Sequence, residues 1–336
     1  MMYANKGLQR RLVLGASALF MGMVSLPSAA QAQPAAYPSQ PIRMVIPFPA
    51  GGTLDVAVRP LSLALSRQLG QPIIIDNRGG ANGVIGTEFV SKAPPDGYTL
   101  LAVTASFALN ASMYKDLKYD VIKDFTPVTA LMQGAGFVMI VNPAVPAKTV
   151  QELIALDKKG QQVAFSSPGI GNTIHIASEL FNQRAGTRFL HVPYKGSAPS
   201  LNAVVGGEVQ VAIMPPAIVM PFIRSGKLRA LAFTGATRLA ELPEVPTMAE
   251  AGVKDFVFSG TWMGLFAPAG TPRPVVERLH AEVNKALQQP ALKQTLAGAV
   301  VGYVPDGSSP DQFALQVQED VQRYGEILRK FNIKAE

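Results

Sequence analysis

The chain contains no cysteine, which excludes disulfides, thiolate metal sites and a cysteine nucleophile. Histidine is nearly as scarce, with His175, His191 and His280 the only three. They do not fall at metal-ligand spacing and no His-Glu-x-x-His pattern occurs, so each reads as a structural or surface histidine. No metal or other cofactor is expected. Charged residues make up 16% of the chain, and no Lys/Arg run carries interleaved aromatics, so nucleic acid is not an expected partner. The strained Gly-x-Ser-x-Gly turn of hydrolases is missing, as is the Gly-x-x-x-x-Gly-Lys-Ser/Thr phosphate loop. Gly169-Ile170-Gly171 opens a dinucleotide-like pattern, but Ile174 stands where the third glycine is needed. No paired carboxylates stand out and no base is visible beside a nucleophile, so a non-enzyme is expected.

What is present begins with an export signal. Lys6, Arg10 and Arg11 form a basic head, Leu12 to Leu26 is apolar and uncharged, Pro27 breaks the run, and Ala30-Gln31-Ala32 fits a small-x-small cleavage site. This is the grammar of a secretory leader. The apolar run is shorter than the roughly 20 residues that span a bilayer, and no later stretch reaches that length. Cleavage near Ala32 predicts a free protein outside the cytoplasm. Removing residues 1–32 leaves 304 of the 336 residues, and three of the seven excess positive charges leave with the leader, so the remainder carries +4. Any preference for anions must therefore come from local donors rather than from overall basicity.

The remaining chain suits two domains of ordinary size. Residues 42–48 and 72–76 are apolar, strand-like runs, as are 98–104, 137–141, 163–166, 189–192, 209–214 and 228–233. They alternate with helical spacing over 54–69, 83–92, 172–185 and 198–205, and a further helix starts at Thr149. Thr149 with Glu152 three residues on is a capping box. Such alternation predicts an α/β fold with parallel sheets covered on both faces. Two long amphipathic patterns, 274–288 and 310–331, end the chain. The organisation expected is a signal peptide at 1–32, one discontinuous domain at 37–129 and 260–336, and an inserted domain at 130–259.

Three donor-rich, charge-poor loops lie at strand C-terminal ends, where ligands of open α/β sheets bind. The first is Pro49-Ala50-Gly51-Gly52-Thr53-Leu54-Asp55, the second runs from Thr104 to Asn110, and the third from Ser166 to Thr173. Glycine lets backbone approach a ligand closely, and the start of a helix offers unpaired N–H groups to an anion. Ser106 and Asn110 in the second loop, and Ser167, Asn172 and Thr173 in the third, could add side-chain donors. The first loop is equally readable as an ordinary turn capped by Thr53 or Asp55.

Several longer stretches, in order, carry a family resemblance: YPSQPIRMVIPFPAGGTLDVAVR, QPIIIDNRGGANGVIG, DGYTLL, SSPGIGNTIHIASELF, HVPYKGSAPSLNAVVGGEVQVAIM, GKLRALAFTG and LPEVPTMAEAG. From about Tyr37 to the C-terminus the chain resembles the substrate-binding receptors of the tripartite tricarboxylate transporter family, often called Bug receptors. The resemblance implies a two-domain periplasmic binding protein, a Venus flytrap, that captures a small carboxylate and delivers it to membrane permease subunits, most simply as a monomer. It implies a ligand carboxylate held by main-chain N–H groups, hydroxyls and waters from opposed loops. The matching positions are Phe48, Gly51, Gly52, Thr53 and Asp55 on one side, Ser167, Asn172 and Thr173 on the other, and Ser106 and Asn110 between them. Asp55 could instead cap its helix.

The chain departs from the family pattern at a few places. Ala50 stands where a second proline is usual, Pro215-Pro216 where many members carry an acid or polar residue, and Pro60 interrupts the first helical pattern. Pro215-Pro216 puts a polar contact from that strand end in doubt. His191 reads as packing and Trp262 as core, hinge or pocket wall. An exported enzyme on the same fold, or a receptor serving a sensor rather than a permease, are the competing readings.

Overall fold

The computed structural model describes residues 37–259 and 261–331. The expected leader and its cleavage site lie outside those residues. In chain order the elements are β1 (Ile42–Ile46), α1 (Thr53–Leu69), β2 (Ile73–Asn77), α2 (Val84–Ser91), β3 (Thr99–Thr104), α3 (Ser106–Met113), β4 (Phe125–Gly134), β5 (Val138–Val141), α4 (Val150–Lys158), β6 (Ala164–Ser167) and α5 (Thr173–Ala185). There follow β7 (Leu190–Pro193), α6 (Ser197–Val205), β8 (Val211–Met214), α7 (Pro216–Arg224), β9 (Arg229–Phe233), β10 (Thr261–Pro268), α8 (Arg273–Leu287), α9 (Pro290–Ala299), β11 (Tyr303–Pro305) and α10 (Pro310–Phe331).

The strands form two sheets, ordered β11-β4-β10-β3-β1-β2 and β7-β6-β8-β5-β9. Neither is purely parallel, which corrects the sequence expectation. The runs β2-β1-β3 and β7-β6-β8 are parallel. β10 is antiparallel to both β3 and β4, and β5 to both β8 and β9. The reason is the path of the chain. Segment 135–137 carries it from β4 directly into β5, with no crossover helix to turn it round, and 234–260 carries it back into β10. The chain leaves the first sheet along β4 and re-enters it along β10, and it enters the second along β5 and leaves it along β9, so the neighbours β4/β10 and β5/β9 run in opposite senses.

The two crossings are tied together. Phe137 N donates to Thr234 Oγ1 at 2.8 Å, Thr234 N to Phe137 O at 2.8 Å, and Thr234 Oγ1 to Phe258 O at 2.7 Å. Gly136 has φ +150, and a Cβ there would meet Gly235 N at 2.8 Å, so only glycine lets the two segments lie this close.

Side-chain alternation divides the first sheet's core. Ile42, Met44 and Ile46 of β1 and Met263, Leu265 and Ala267 of β10 pack with α1, α8 and α9. Val45 and the β10 residues Trp262 and Phe266 belong to a second cluster with Phe107 of α3 and Phe313 of α10. Period-two alternation of this kind buries both faces of a strand. In α1, Leu54, Val58, Leu61, Leu65 and Leu69 are buried at helical spacing. Full burial of such a side chain stabilises by roughly 1.5–3 kcal/mol. Pro60 sits inside α1 without ending it, and Gly70 closes the helix at φ +68. Thr104–Asn110, expected to be a loop, is helical from Ser106 onward.

Candidate functional site

A cavity of about 60 Å³ lies between the two sheets. Phe48 to Ala50 and Gly52 to Asp55, from the β1–α1 turn, form one wall. Asn172, Thr173 and Ile174 at the start of α5, Ser197 and Ala198 at the start of α6, and Pro215 before α7 form the opposite one. Thr104, Ala105, Phe137, Thr261, Trp262, Met263 and Tyr303 close the remainder.

The β1–α1 turn is built to leave donors free. Gly51 adopts φ +84, which an L side chain rarely tolerates, and Gly52 caps α1 with no side-chain hydrogen bond. The first α1 bond within the helix is Val56 N to Gly52 O, so the first-turn N–H groups have no intrahelical acceptor. Thr53 is buried on the cavity wall, 7% exposed, and its Oγ1 has no hydrogen-bond partner. A buried hydroxyl left this way costs about 1–3 kcal/mol.

Asp55 has a different place. Its carboxylate accepts from Gly51 N (3.0 Å), Arg59 Nε (2.8 Å), Arg59 Nη2 (2.9 Å) and Asn77 Nδ2 (3.1 Å). Burial alone would raise its pKa. The Arg59, Gly51 and Asn77 hydrogen bonds outweigh that and hold the carboxyl below its ordinary value. Asp55 therefore fixes the turn by accepting from Gly51 N, and it leaves the first-turn N–H groups of α1 without a side-chain cap.

On the opposite wall α6 starts at Gly196, φ +120, again with no side-chain cap. Its first-turn donors, Ser197 and Ala198, line the cavity. A Cβ on Gly196 would meet Pro49 at 3.2 Å, which shows how near the two walls are. The α5 start is already occupied: Ile174 N donates to Asn172 Oδ1 at 3.0 Å and Thr173 N to Ser106 Oγ at 3.3 Å. The α7 start is Pro215-Pro216. Proline has no N–H, so that strand end contributes an apolar wall.

Of the residues singled out from sequence, Phe48, Gly52, Thr53, Asp55, Asn172 and Thr173 line the cavity. Gly51, Ser106, Asn110 and Ser167 are not among its lining residues. Asn110 belongs to a buried amide cluster. Asn82 Nδ2 donates to Asn110 Oδ1 (2.9 Å) and to Gly171 O (2.7 Å), while Asn172 Nδ2 donates to Asn82 Oδ1 (3.1 Å). Asn82 and Asn110 flank the first sheet and Gly171 and Asn172 the second, so this cluster links the two lobes. Asn82 has φ +51, a conformation that asparagine tolerates better than most residues.

Ser167 Oγ lies 2.6 Å from His191 Nε2 and donates to Gly169 O at 3.1 Å. Gly169 N also donates to Ser167 Oγ, at 3.3 Å. The His191 contact ties the loop after β6 to β7. His191 stacks on His175 at 3.9 Å and on Phe165 at 4.8 Å. Burial, with His175 beside it, pushes its pKa down to about 3. Among the described residues no three His, Asp or Glu gather to hold a metal.

Sequence reasoning missed Ser197 and Ala198 as wall residues, although Gly196 before them followed by Pro199 is a readable helix start. It also missed Thr261 and Tyr303, which approach to 3.5 Å through their hydroxyls. Burial raises the Tyr303 pKa. Trp262 proves to be both core and cavity wall, and its Nε1 donates to Asp320 Oδ2 at 2.6 Å.

Comparison with known proteins agrees with this geometry. Residues 57–333 match the tripartite tricarboxylate transporter family receptor model. Protein BugT of Bordetella pertussis is 38% identical over 301 residues, 89% of this chain and 91% of that protein. The structure of the periplasmic binding protein BugD superposes with a TM-score of 0.84 at 32% identity, covering 89% of this chain and 100% of that one. R. palustris Rpa4515 with adipate gives a TM-score of 0.84 at 32% identity over 89% and 99% of the two chains. The chain has the two-lobed periplasmic binding protein fold and belongs to the tripartite tricarboxylate transporter receptor family.

Proposed function

We propose that this protein is a periplasmic solute receptor that captures a small organic carboxylate between its two lobes and presents it to the membrane subunits of a tripartite tricarboxylate-type transporter. The observation that carries it is the buried, unpartnered Thr53 Oγ1 at the uncapped start of α1, facing one cavity with the uncapped start of α6. Each helix start carries the equivalent of roughly half a positive charge. Two of them offset about one carboxylate charge with no lysine or arginine, and their N–H groups are anion donors by geometry. The relative bound to adipate supports an acid as ligand.

We place the division between the lobes at the crossing segments 135–137 and 234–259, since β4 lies in the first sheet and β5 to β9 in the second. The protein is exported, cleaved near Ala32 and monomeric, and it binds its acid without turning it over. Trp262, the only tryptophan, lines the cavity and reports on occupancy. Titrating a panel of mono- and dicarboxylic acids, followed by tryptophan emission and calorimetry, should give saturable binding and a raised Tm for at least one acid. Absence of binding by every acid would overturn the receptor reading.

A further inference from the structure

We infer that the ligand is a short monocarboxylate, with an uncharged and largely apolar remainder. The inference rests on the receptor reading above and specifies the chemistry of the same cavity. Among the described residues that line it, Asp55 is the only charged side chain, and that carboxylate is saturated by four donors. The anion-holding end is the α1 start with Thr53 Oγ1, opposed by the α6 start.

The rest of the lining combines carbon from Phe137, Met263, Pro215 and Trp262 with the neutral polar residues Thr104, Asn172, Thr173, Thr261 and Tyr303. The Trp262 N–H is spent on Asp320, and Pro215-Pro216 removes the N–H groups that a third helix start would have offered. A second carboxylate would meet only carbon and neutral groups, with no cation and no free helix start left to offset it, and an uncompensated buried charge is strongly disfavoured. The Thr261 and Tyr303 hydroxyls approach each other and suit at most a neutral polar group. Size points the same way, because about 60 Å³ has room for roughly four to six water-sized groups.

The test is calorimetry on the purified protein with acids paired by carbon number: butanoate against succinate, pentanoate against glutarate, hexanoate against adipate. At least one monocarboxylate should bind at least about 100-fold more tightly than its partner, a factor worth about 2.7 kcal/mol. Thr53→Val, which keeps the shape and removes the hydroxyl, should weaken that monocarboxylate by about 10-fold. A dicarboxylate that binds as tightly as its partner or more tightly overturns the monocarboxylate inference and leaves the receptor reading standing. Unchanged affinity in Thr53→Val overturns the placement of the carboxylate at α1. If no acid of either class binds, the receptor reading fails and the inference fails with it.

Discussion

Replacing Asn82 with glycine tests how the two lobes are held together. Glycine keeps the positive φ of this position without strain and removes only the side chain. Three hydrogen bonds go: Asn82 to Asn110, Asn82 to Gly171 O, and Asn172 to Asn82. The last two cross between the lobes, and in a separated form water would take their place. Each is worth about 1 kcal/mol net, so the joined form should lose about 2 kcal/mol relative to a separated one. That is roughly a 30-fold change in their ratio. If the ligand binds only where both walls meet it, apparent Kd rises by up to that factor, because affinity scales with the competent population. Calorimetry on the wild type and the variant measures the change, and small-angle scattering of the unliganded variant should show a larger radius of gyration. Unchanged affinity with unchanged scattering would refute the idea that this amide cluster latches the lobes.

Asp55→Asn should lower stability by about 2 kcal/mol near neutral pH, through weakened bonds to Gly51, Asn77 and the half-exposed Arg59; for a chain of this size that is a Tm loss of roughly 3 °C by calorimetry. Because the folded pKa of Asp55 is depressed, its contribution is present above the unfolded value of about 3.9 and lost as pH falls through the folded one, so the Tm gap between wild type and variant should close in acid. Gly264→Ala would drive a Cβ into the Phe313 ring and to 3.1 Å from Trp262; overpacking of this kind costs about 1–3 kcal/mol, read as a lower denaturant midpoint and a shifted tryptophan emission.

The strand-to-helix turns were legible because their chemistry is local. Gly51-Gly52 before an apolar helical run marks a strand-to-helix turn, though not whether Thr53 or Asp55 caps it, and Thr149 with Glu152 predicts a cap that the structure contains, with Glu152 N donating to Thr149 Oγ1 at 3.1 Å. What escaped was set by packing across the chain. Ser106 and Asn110 look like ligand donors from their types alone, yet their partners are Thr173 N and Asn82, 67 and 28 residues away. The role of Asp55 stayed open for the same reason, since Asn77 reaches it from β2. β4 carries Pro127, Thr126, Thr129 and Gln133 among its apolar residues. That breaks the simple alternation from which strands are read, and its antiparallel pairing with β10 is visible only once the chain has returned from the second lobe.

The most direct test of the central claim is a crystal structure of the protein with the acid that binds it best. The account predicts one ligand carboxylate between the starts of α1 and α6, within hydrogen-bond distance of Thr53 Oγ1 and of first-turn N–H groups, with Asp55 still held by Arg59 and Asn77. A carboxylate bound beside His191, or one paired with a lysine or arginine while Thr53 Oγ1 remains unpartnered, would contradict it.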